Sequence, residues 1–516
     1  MKKNSGGFWL VLCIAVYILV FSGLCLLRHL SSYLGDPDCS IFNQSFYTAL
    51  KYGMPFYNSF EGNSHFAIHC SPIFYLLLPL YALRPGVPIL LIMQTCALGL
   101  GAWPIYLIAR EILAGQRGGG IPEEGKANTS GIIFEKAPLF FAILYLLYHP
   151  LHGINYDQFN ELSFAVLPLA FAVYFFLRRK MLPFWVCMTL VLLCKEDASF
   201  IFVFFGIYIL FLSFTSDKSW KFRLHGCALI LVGVFYLYSY IYLFLPALGK
   251  SYAFFSERYA VMGSSLPEVL KTILTRPSIV LGILFEKAHV LYFFEMFLPL
   301  AFIPFIAPGF LWMTIPEFAI NMLSQNAPMS NTGGRYSAYL IPFIFTAAVF
   351  AFRKLVPEPQ LKRGINLIKP WQAILRGAGG LPGRAGRLFK ILFIMTILCT
   401  LFINNTPLRI GFKIPGITPH QRNVLKLAGK IPKEASVSTQ VDIFQHLSCR
   451  LHAVSGFAPS SDFILVDETS KWFRMQAHWD TQLPEIIKRG WYEKVFEQEG
   501  IQLYVNRCSK FRDFKP

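Results

Sequence analysis

Long apolar stretches separated by short polar segments make up most of this sequence. The first stretch runs from Phe8 to Leu27 behind Lys2 and Lys3, and the last ends at Ile403. Because a helix needs roughly 20 apolar residues to cross the bilayer core, the pattern predicts an α-helical polytopic membrane protein with about eleven transmembrane helices. The predicted spans are residues 8–27, 87–108, 139–148, 162–177, 182–194, 199–214, 227–245, 290–306, 310–323, 338–352 and 391–403.

A polar loop, His29–Pro72, follows the first predicted span and concentrates acidic and histidine side chains. Within this loop, residues 41–52 have helical spacing, which predicts a helix lying along the membrane surface. Residues 71–83 are apolar but too few to cross a bilayer, so we expect a helix packed near the outer face. The ionisable side chains of the loop are Asp36, Asp38, Glu61, His65 and His69.

Basic residues recur on one side of the predicted spans, in the segments 115–136, 178–180, 216–223 and 353–390. Basic loops of membrane proteins stay in the cytoplasm, so this distribution predicts a multi-pass protein of the inner (cytoplasmic) membrane with a cytoplasmic N-terminus. The loops that carry acids and histidines then lie outside. The net charge of +18 needs no nucleic-acid partner, because no compact basic module stands apart from the apolar segments.

The tail of the chain changes character and predicts a small soluble domain. Residues 435–439, 451–455, 462–467 and 501–506 have strand patterns, whereas 441–448 and 483–498 have helix patterns. Alternation of this kind is typical of an α/β domain with a mainly parallel sheet. The predicted organisation is a membrane domain over residues 1–404 and an extracytoplasmic α/β domain over residues 405–516.

The eleven cysteines show neither a CxxC pair nor zinc spacing. Cys39 and Cys70 share the first loop, and Cys449 and Cys508 share the tail. In an oxidising compartment each pair would form a disulfide, but four free thiols fit the sequence equally well.

The triplet Asp36-Pro37-Asp38 is the first candidate for chemistry. A carboxylate at the membrane surface can act as a general base, and two carboxylates can hold a divalent metal together with phosphate oxygens. The sequence names no other cofactor. The structural alternative is that Asp38 caps a helix that begins near Cys39.

Glu61, His65 and His69 form a second candidate group. A histidine beside the membrane can bind phosphate or lend a proton, and a spacing of four would place both rings on one helical face, as in half of a metal site. Ordinary hydrogen-bonding histidines are the structural alternative.

The triplet Lys195-Glu196-Asp197 ends one predicted span and begins the next. Charges at that depth cost several kcal/mol unless they are paired or hydrated, which indicates either a functional site or a cluster at the membrane interface. Arginine binds phosphate in a bidentate manner, so cationic outer loops are candidates for a phosphate site. The candidates on the other outer loops are Asp157, Glu161, Arg258, Arg335 and Tyr336.

Seven fragments, in this order, resemble a family of prokaryotic membrane proteins catalogued as domain of unknown function 2079. That family in turn resembles the GT-C glycosyltransferases, which have a multi-helix membrane core, an acidic first outer loop and often a C-terminal outer domain. The fragments are DCSIFNQSFY (38–47), GMPFY (53–57), HCSPIFYLLLPLYAL (69–83), NYDQFNELSF (155–164), LCKEDAS (193–199), ERYAVMG (257–263) and PEFAINMLS (316–324).

The resemblance implies a glycosyltransferase that takes a sugar from a polyprenyl-phosphate carrier and transfers it to an acceptor hydroxyl on a glycan, lipid or protein of the cell envelope. Asp38 matches the first-loop acid of the family and would deprotonate the acceptor, while Arg258, Arg335 or Lys195 would hold the phosphate. This interpretation requires the ionisable residues to meet on the non-cytoplasmic rim of the helical bundle. Intramembrane charges also mark transport paths, so a transporter or lipid flippase is the alternative, as is a non-catalytic protein of cell-envelope assembly.

Overall fold

A computed structural model provides the coordinates of the chain. It describes residues 5–31, 37–114, 129–217, 219–356, 380–403, 406–476 and 478–516. Asp36 and most of the basic segments 115–136 and 353–390 therefore lie outside the described residues, and so does the boundary proposed between residues 404 and 405.

The described part of the chain is mainly helical, and its helices are labelled here in chain order. Two of them continue directly into short π-helical turns, at Ser213–Asp217 and Tyr240–Phe244. The α-helices are α1 Ser5–Leu30, α2 Asp38–Tyr52, α3 Ile73–Tyr81, α4 Val87–Leu100, α5 Ala102–Ala114, α6 Thr129–Leu146, α7 His149–Tyr156, α8 Ser163–Leu177, α9 Met181–Leu192, α10 Ala198–Leu212, α11 Trp220–Ser239, α12 Leu245–Ala247, α13 Phe254–Arg258, α14 Leu266–Thr275, α15 Pro277–Leu284, α16 Lys287–Phe297, α17 Ile315–Met322, α18 Leu340–Leu355, α19 Gly380–Phe402, α20 Pro419–Lys430, α21 Val441–Leu447, α22 Lys471–Met475 and α23 His478–Lys488.

Five helical segments among the described residues are long and apolar enough to cross a membrane. A sixth is the pair Glu135–Leu146 and His149–Tyr156, if the 44° bend between them lies within one span. The five segments are Gly6–Leu30, Val87–Leu113, Ala198–Ser216, Trp220–Ala247 and Gly383–Phe402. The chain is thus a membrane protein with several apolar helices. The number of clear spans among the described residues is smaller than the eleven that hydrophobicity predicts.

The predicted pair of spans at 290–306 and 310–323 is wrong. The structure has α16 and α17 there, separated by three short 3₁₀ helices over Leu298–Leu300, Ile303–Ile306 and Pro308–Thr314. Proline removes a backbone donor and clashes with the preceding turn, and prolines begin or interrupt each of these elements. Two left-handed residues, Ala301 and Phe302, add a further break. Apolar composition alone conceals these interruptions.

The predicted outer loop 149–161 begins instead with helix α7, most of which is buried. This helix reaches the loop Asn331–Gly334 at Gly153, where an added Cβ would lie 2.8 Å from Gly333 Cα and closer still to the carbonyl oxygen of Thr332. Glycine therefore permits a backbone contact that no other residue allows. This close approach places α7 beside the segment that carries Arg335.

The residues of the chain divide into two compact units by their contacts. The first unit comprises Met1–Leu19, Thr95–Asp157 and Glu161–Phe412, and the second comprises Val20–Gln94, Gln158–Asn160 and Lys413–Pro516. The second unit thus combines the first polar loop with the tail, whereas the sequence predicts a division near residue 404.

The second unit contains a five-stranded mixed sheet of order β4-β3-β5-β7-β6. β3 is parallel to β4 and β5, whereas β7 is antiparallel to β5 and β6. The predicted helix 483–498 is wrong in its second half, since α23 ends at Lys488 and a strand begins at Tyr492. A separate two-stranded ribbon is β1 Tyr57–Asn58 with β2 Asn63–Ser64, and the larger sheet is β3 Val437–Thr439, β4 Ala453–Ser455, β5 Phe463–Asp467, β6 Tyr492–Gln498 and β7 Ile501–Asn506.

Both faces of this sheet are covered, because the side chains of β5 alternate between two apolar cores. Phe463 and Leu465 pack with residues of α20 and α21. Ile464 and Val466 pack on the other side with residues of α23, including the fully buried Trp479.

Helix α2 joins the first loop to the tail within the second unit. Its polar side chains are buried and hydrogen-bonded across the chain: Asn43 Nδ2 donates to Ser448 Oγ at 2.8 Å, and Gln44 Nε2 donates to the carbonyl of Leu451 at 2.9 Å. The helix ends at Gly53, whose φ of 65° is the left-handed conformation that glycine adopts without strain. Buried polar groups need such partners, so α2 depends on the tail.

All eleven cysteines are free thiols in the structure. This holds for both pairs that the sequence leaves open, Cys39 with Cys70 and Cys449 with Cys508. Cys449 instead accepts a hydrogen bond from Asn43 at 3.2 Å.

We predict that Gly153→Ala destabilises the protein by about 1–3 kcal/mol, because the new methyl group must displace the Thr332–Gly333 backbone. The matched control is Gly386→Ala in α19, where an added Cβ meets no atom within 4 Å; it should be neutral or mildly stabilising. Thermal unfolding in detergent measures both variants, and equal unfolding temperatures would contradict the proposed contact.

Candidate active site

In the first unit, the structure brings Lys195 together with acidic side chains between α9 and α10. Lys195 Nζ lies 3.6 Å from Asp197 Oδ2 and 3.9 Å from Glu161 Oε1. Lys195, Glu161 and Glu196 are almost fully buried. Charged side chains are rarely buried unless they are paired, so this group is a mutually compensated cluster and not a set of side chains extended toward the membrane surface.

Three tyrosines from two other segments complete the cluster. The Tyr339 hydroxyl donates to Asp197 Oδ1 at 3.2 Å, and the Tyr252 hydroxyl donates to Glu196 Oε1 at 3.3 Å. The ring of Tyr336 lies 5.8 Å from Lys195 Nζ and 5.4 Å from Arg335 Cζ. Two cations thus flank one aromatic ring, a favourable cation–π geometry.

Arg258 belongs to the same region. Burial and the charges of Glu196 and Asp197 raise the pKa of the Tyr252 hydroxyl well above its usual range, and the charge of Arg258 offsets only part of this rise. Its guanidinium lies 4.2 Å above the ring of Phe254, and its carbonyl accepts a hydrogen bond from the Gln325 amide at 2.8 Å. The half-buried Arg258 and Arg335 therefore supply positive charge near the acidic cluster.

Electrostatics keep Lys195 charged. Burial lowers the pKa of this ammonium, but the attraction of Asp197, Glu161 and Glu196 outweighs burial and raises it overall. Burial raises the pKa of Asp197 despite Lys195, and burial together with the charge of Asp197 raises the pKa of Glu317 well above its usual range. Burial thus favours the protonated forms of Asp197 and Glu317 more than water would.

Asp157 ends α7 and is half-buried, with its amide bonded to the carbonyl of Gly153 at 2.9 Å. A Cβ placed on Gly334 would lie 3.9 Å from Asp157 Oδ2, so this carboxylate lies beside the backbone that leads to Arg335. Of the candidates in the first unit, Glu161, Lys195, Glu196, Asp197, Arg258, Arg335 and Tyr336 share this region, and Asp157 borders its arginine-bearing loop.

Four residues of this region were not among the sequence candidates. Glu317 is 3% exposed on α17, and Asn321 on the same helix donates to the carbonyl of Tyr336 at 2.9 Å. A lone acid in the apolar fragment PEFAINMLS was the available signal, because acids in such surroundings are costly and usually functional. The hydroxyls of Tyr252 and Tyr339 carry no comparable signal, since aromatic residues abound throughout the chain.

In the second unit, Glu61 and the two histidines lie close together. His65 Nδ1 lies 3.1 Å from Glu61 Oε1, and the rings of His65 and His69 have centroids 5.8 Å apart. His65 is buried against Phe42 and Phe74. Burial raises the pKa of Glu61, but the charge and hydrogen bond of His65 and the hydrogen bond from Asn58 together lower it by more, so the pKa of Glu61 lies below its usual value.

Asp38 is the first residue of α2 and is half-buried. It does not cap the helix, because Pro37 occupies the cap position; a carboxylate in the first turn is nevertheless favoured by the helix dipole. Asp36, and with it the predicted metal site at Asp36 and Asp38, lies outside the described residues. Among the described residues, no group of three or more His, Cys, Asp or Glu side chains is arranged to hold a metal.

The two groups differ in chemistry. The first unit provides one buried ammonium, two half-buried guanidinium groups and several acids, and cations of this kind can bind an anionic group such as a phosphate. The second unit provides a partly accessible carboxylate at a helix N-terminus and a histidine–glutamate pair.

Two solved structures have the same fold as this chain. A crystal structure of ArnT from Cupriavidus metallidurans bound to undecaprenyl phosphate has a TM-score of 0.50 at 12% identity, and its apo state has a TM-score of 0.51 at 13% identity. In each comparison 97% of this chain and 98% of the other are covered. ArnT is a GT-C glycosyltransferase, so the chain is a membrane protein with a GT-C-like fold.

The archaeal oligosaccharyltransferase AglB from Archaeoglobus fulgidus, in complex with an inhibitory peptide and a dolichol-phosphate, also matches. It has a TM-score of 0.34 at 11% identity, over 96% of this chain and 74% of that one.

By sequence, residues 28–503 match the family described as predicted membrane protein DUF2079, and the chain belongs to that family. The resemblance drawn from the sequence fragments is thereby confirmed. No curated protein matches the chain by sequence.

We predict that Lys195→Met lowers the free energy of unfolding by about 3–5 kcal/mol, because it leaves Asp197 and Glu161 buried without their cation. The control, Lys250→Met at an exposed position, should change stability by no more than about 0.5 kcal/mol. Denaturant unfolding in mixed micelles measures both, and a Lys195 variant as stable as its control would contradict the pairing.

The lowered pKa of Glu61 predicts a pH dependence of stability. A carboxyl whose folded pKa lies below its unfolded value of about 4.3 stabilises fully above that value, and the contribution is lost as pH falls through the folded pKa. Glu61→Gln should therefore cost about 1–2 kcal/mol at pH 5–6, and this difference should vanish toward pH 3. Unfolding of both proteins across this range, with the exposed Glu257→Gln as control, tests the prediction; a difference independent of pH would refute it.

Proposed function

We propose that the protein is a GT-C glycosyltransferase that moves a sugar from a polyprenyl-phosphate donor to an acceptor hydroxyl at the outer face of the cytoplasmic membrane. One observation carries the proposal: a buried cluster of acids, cations and tyrosines around Lys195 lies within a fold shared with a polyprenyl-phosphate-dependent type of enzyme. Ionisable groups at such depth are costly and mark functional sites by default.

The donor phosphate is assigned to the first unit. Lys195, Arg258 and Arg335 supply the positive charge that a phosphodiester needs, and Tyr336 orients two of them through its ring. Undecaprenyl phosphate bound to ArnT supports a lipid carrier of this class. The nearby acids Glu161, Glu196, Asp197 and Asp157 accept hydrogen bonds from sugar hydroxyls or hold the cations in position.

The acceptor is assigned to the second unit, with Asp38 as general base. Asp38 takes the proton from the acceptor hydroxyl, and the oxygen of that hydroxyl attacks the anomeric carbon of the donor sugar. The carbon–oxygen bond to the carrier breaks, and polyprenyl phosphate leaves with the electron pair, so the anomeric configuration inverts. Glu61, His65 and His69 are assigned to acceptor binding near this helix.

The membrane topology is part of the proposal. We infer that the basic segments lie on the cytoplasmic side, as is usual for membrane proteins, so the N-terminus would lie inside and the first polar loop outside. The tail beyond residue 405 would then be extracytoplasmic, as its hydrogen bonds to helix α2 of the first loop support.

A transfer assay tests the proposal with purified full-length protein in nanodiscs and a panel of polyprenyl-phosphate-linked hexoses. Asp38→Asn should reduce release of polyprenyl phosphate by about 10²–10⁴-fold with little change in KM for the donor. Arg335→Gln should instead raise that KM about tenfold or more. The control Glu257→Gln, an exposed neighbour of Arg258, should match the unaltered protein.

Full activity in Asp38→Asn would exclude its role as the base. Donor binding without release of polyprenyl phosphate for any member of the panel would favour an assembly protein, and solute uptake into proteoliposomes without transfer would favour a transporter.

A further inference from the structure

A cavity lies at one end of the five-stranded sheet in the second unit, and none of the residues assigned above lines it. It has a volume of about 230 Å³ and opens beside the carboxyl ends of β3 and β5. From β3 the chain crosses to β4 on one side and then returns to β5 on the other. In open α/β sheets, ligands bind outside the carboxyl ends of strands where the connections diverge in this way.

Asp442, at the start of α21, lines this cavity and is only 6% exposed. Its Oδ2 accepts a hydrogen bond from Ser470 Oγ at 2.8 Å, while Oδ1 is buried and makes no hydrogen bond of good geometry among the described residues, although Gln440 lies close enough to act on the carboxylate. An unsatisfied buried acceptor costs roughly 1–3 kcal/mol or more. Burial raises the pKa of Asp442 to about 6, so the carboxylate is still mainly ionised at neutral pH and is a strong acceptor for a ligand donor.

The opposite wall presents mixed donors and acceptors. His420 Nε2 lies 2.8 Å from Asp467 Oδ2, and Thr469 Oγ1 donates to Asp467 Oδ1 at 2.6 Å. His420 is fixed in the first turn of α20 by the capping box of Thr418 and Gln421. The half-buried Trp472 also lines the cavity and contributes an aromatic ring.

We propose that this cavity binds one residue of a neutral saccharide. Sugar hydroxyls both donate and accept, which suits a carboxylate with one open oxygen beside histidine and hydroxyl groups. The ring of Trp472 offers an amphipathic surface for the C–H face of a pyranose. The volume is below the roughly 300–1,000 Å³ of pockets for larger ligands, which limits the occupant to a single ring.

Other ligand classes fit less well. The carboxylates of Asp442 and Asp467 would repel a phosphate. The nearby cation Lys471 contacts Trp472, with its Nζ 4.5 Å from the ring centroid, so its charge is already engaged by the aromatic ring. A metal is disfavoured because Asp467 already uses both oxygens within the protein. The proposal does not depend on transferase activity, since it concerns binding of a free sugar in the second unit.

Saturation-transfer NMR on full-length protein in nanodiscs tests the proposal, with the methyl glycosides of glucose, galactose, mannose and N-acetylglucosamine as probes. At least one glycoside should bind, and both Asp442→Asn and Trp472→Ala should weaken its binding about tenfold or more. The control Asp513→Asn alters a carboxylate of the same unit that is 94% exposed and should bind as the unaltered protein does.

Absence of saturation transfer from all four glycosides would overturn the proposal. Binding that survives both substitutions, or titrations in which only inorganic phosphate or calcium chloride binds, would overturn it as well. Circular dichroism checks folding, and if Asp442→Asn fails to fold, Trp472→Ala decides the question alone. The binding experiment contains no lipid carrier, so a negative result would not bear on the proposed glycosyl transfer. A negative transfer assay would likewise not bear on saccharide binding in this cavity.

Discussion

The compensation of buried charge is the constraint on which the rest of this structure depends. A membrane protein cannot bury Lys195, Glu161, Glu196 and Glu317 unless their charges are balanced, because each isolated ion would cost several kcal/mol. The contacts of Lys195 with Asp197 and Glu161 offset part of the negative charge, the hydroxyls of Tyr252 and Tyr339 donate hydrogen bonds to Glu196 and Asp197, and the raised pKa of Glu317 favours its neutral form. These groups come from segments far apart in sequence, so the cluster also fixes how α10, α17 and the segment before α18 meet.

The same principle operates in the second unit with neutral groups. Helix α2 buries the side-chain amides of Asn43 and Gln44, and burying them without hydrogen-bond partners would destabilise the fold. The tail supplies those partners through Ser448 and Leu451. Polar burial thus specifies one arrangement of the first loop and the tail, where apolar contacts alone would permit several. An acceptor-binding role for this unit would benefit from that rigidity, since a general base must be held in position.

The class of fold was readable from the sequence. The charge pattern of Lys195-Glu196-Asp197 singled out these residues, but whether they form a functional site stays a prediction. The strands ending in Asp467 and Asn506 were predicted within a residue or two. Hydrophobicity failed between residues 290 and 323, where prolines break apolar runs into short 3₁₀ turns. Glu317 was missed because a single acid in an apolar fragment has no partner visible in the sequence. The strand 492–498 was missed because its exposed face carries the polar residues of a helix-like pattern.

The central claim is that the charge cluster of the first unit holds the phosphate of a lipid carrier. The most direct measurement is photo-crosslinking with a polyprenyl phosphate that carries a diazirine beside its phosphate, in nanodiscs, followed by mapping of adducts by mass spectrometry. The account predicts adducts within residues 252–258 and 331–339, competed by unlabelled polyprenyl phosphate. Adducts confined to the exposed surface of Trp220–Ser239 and insensitive to competition would contradict it.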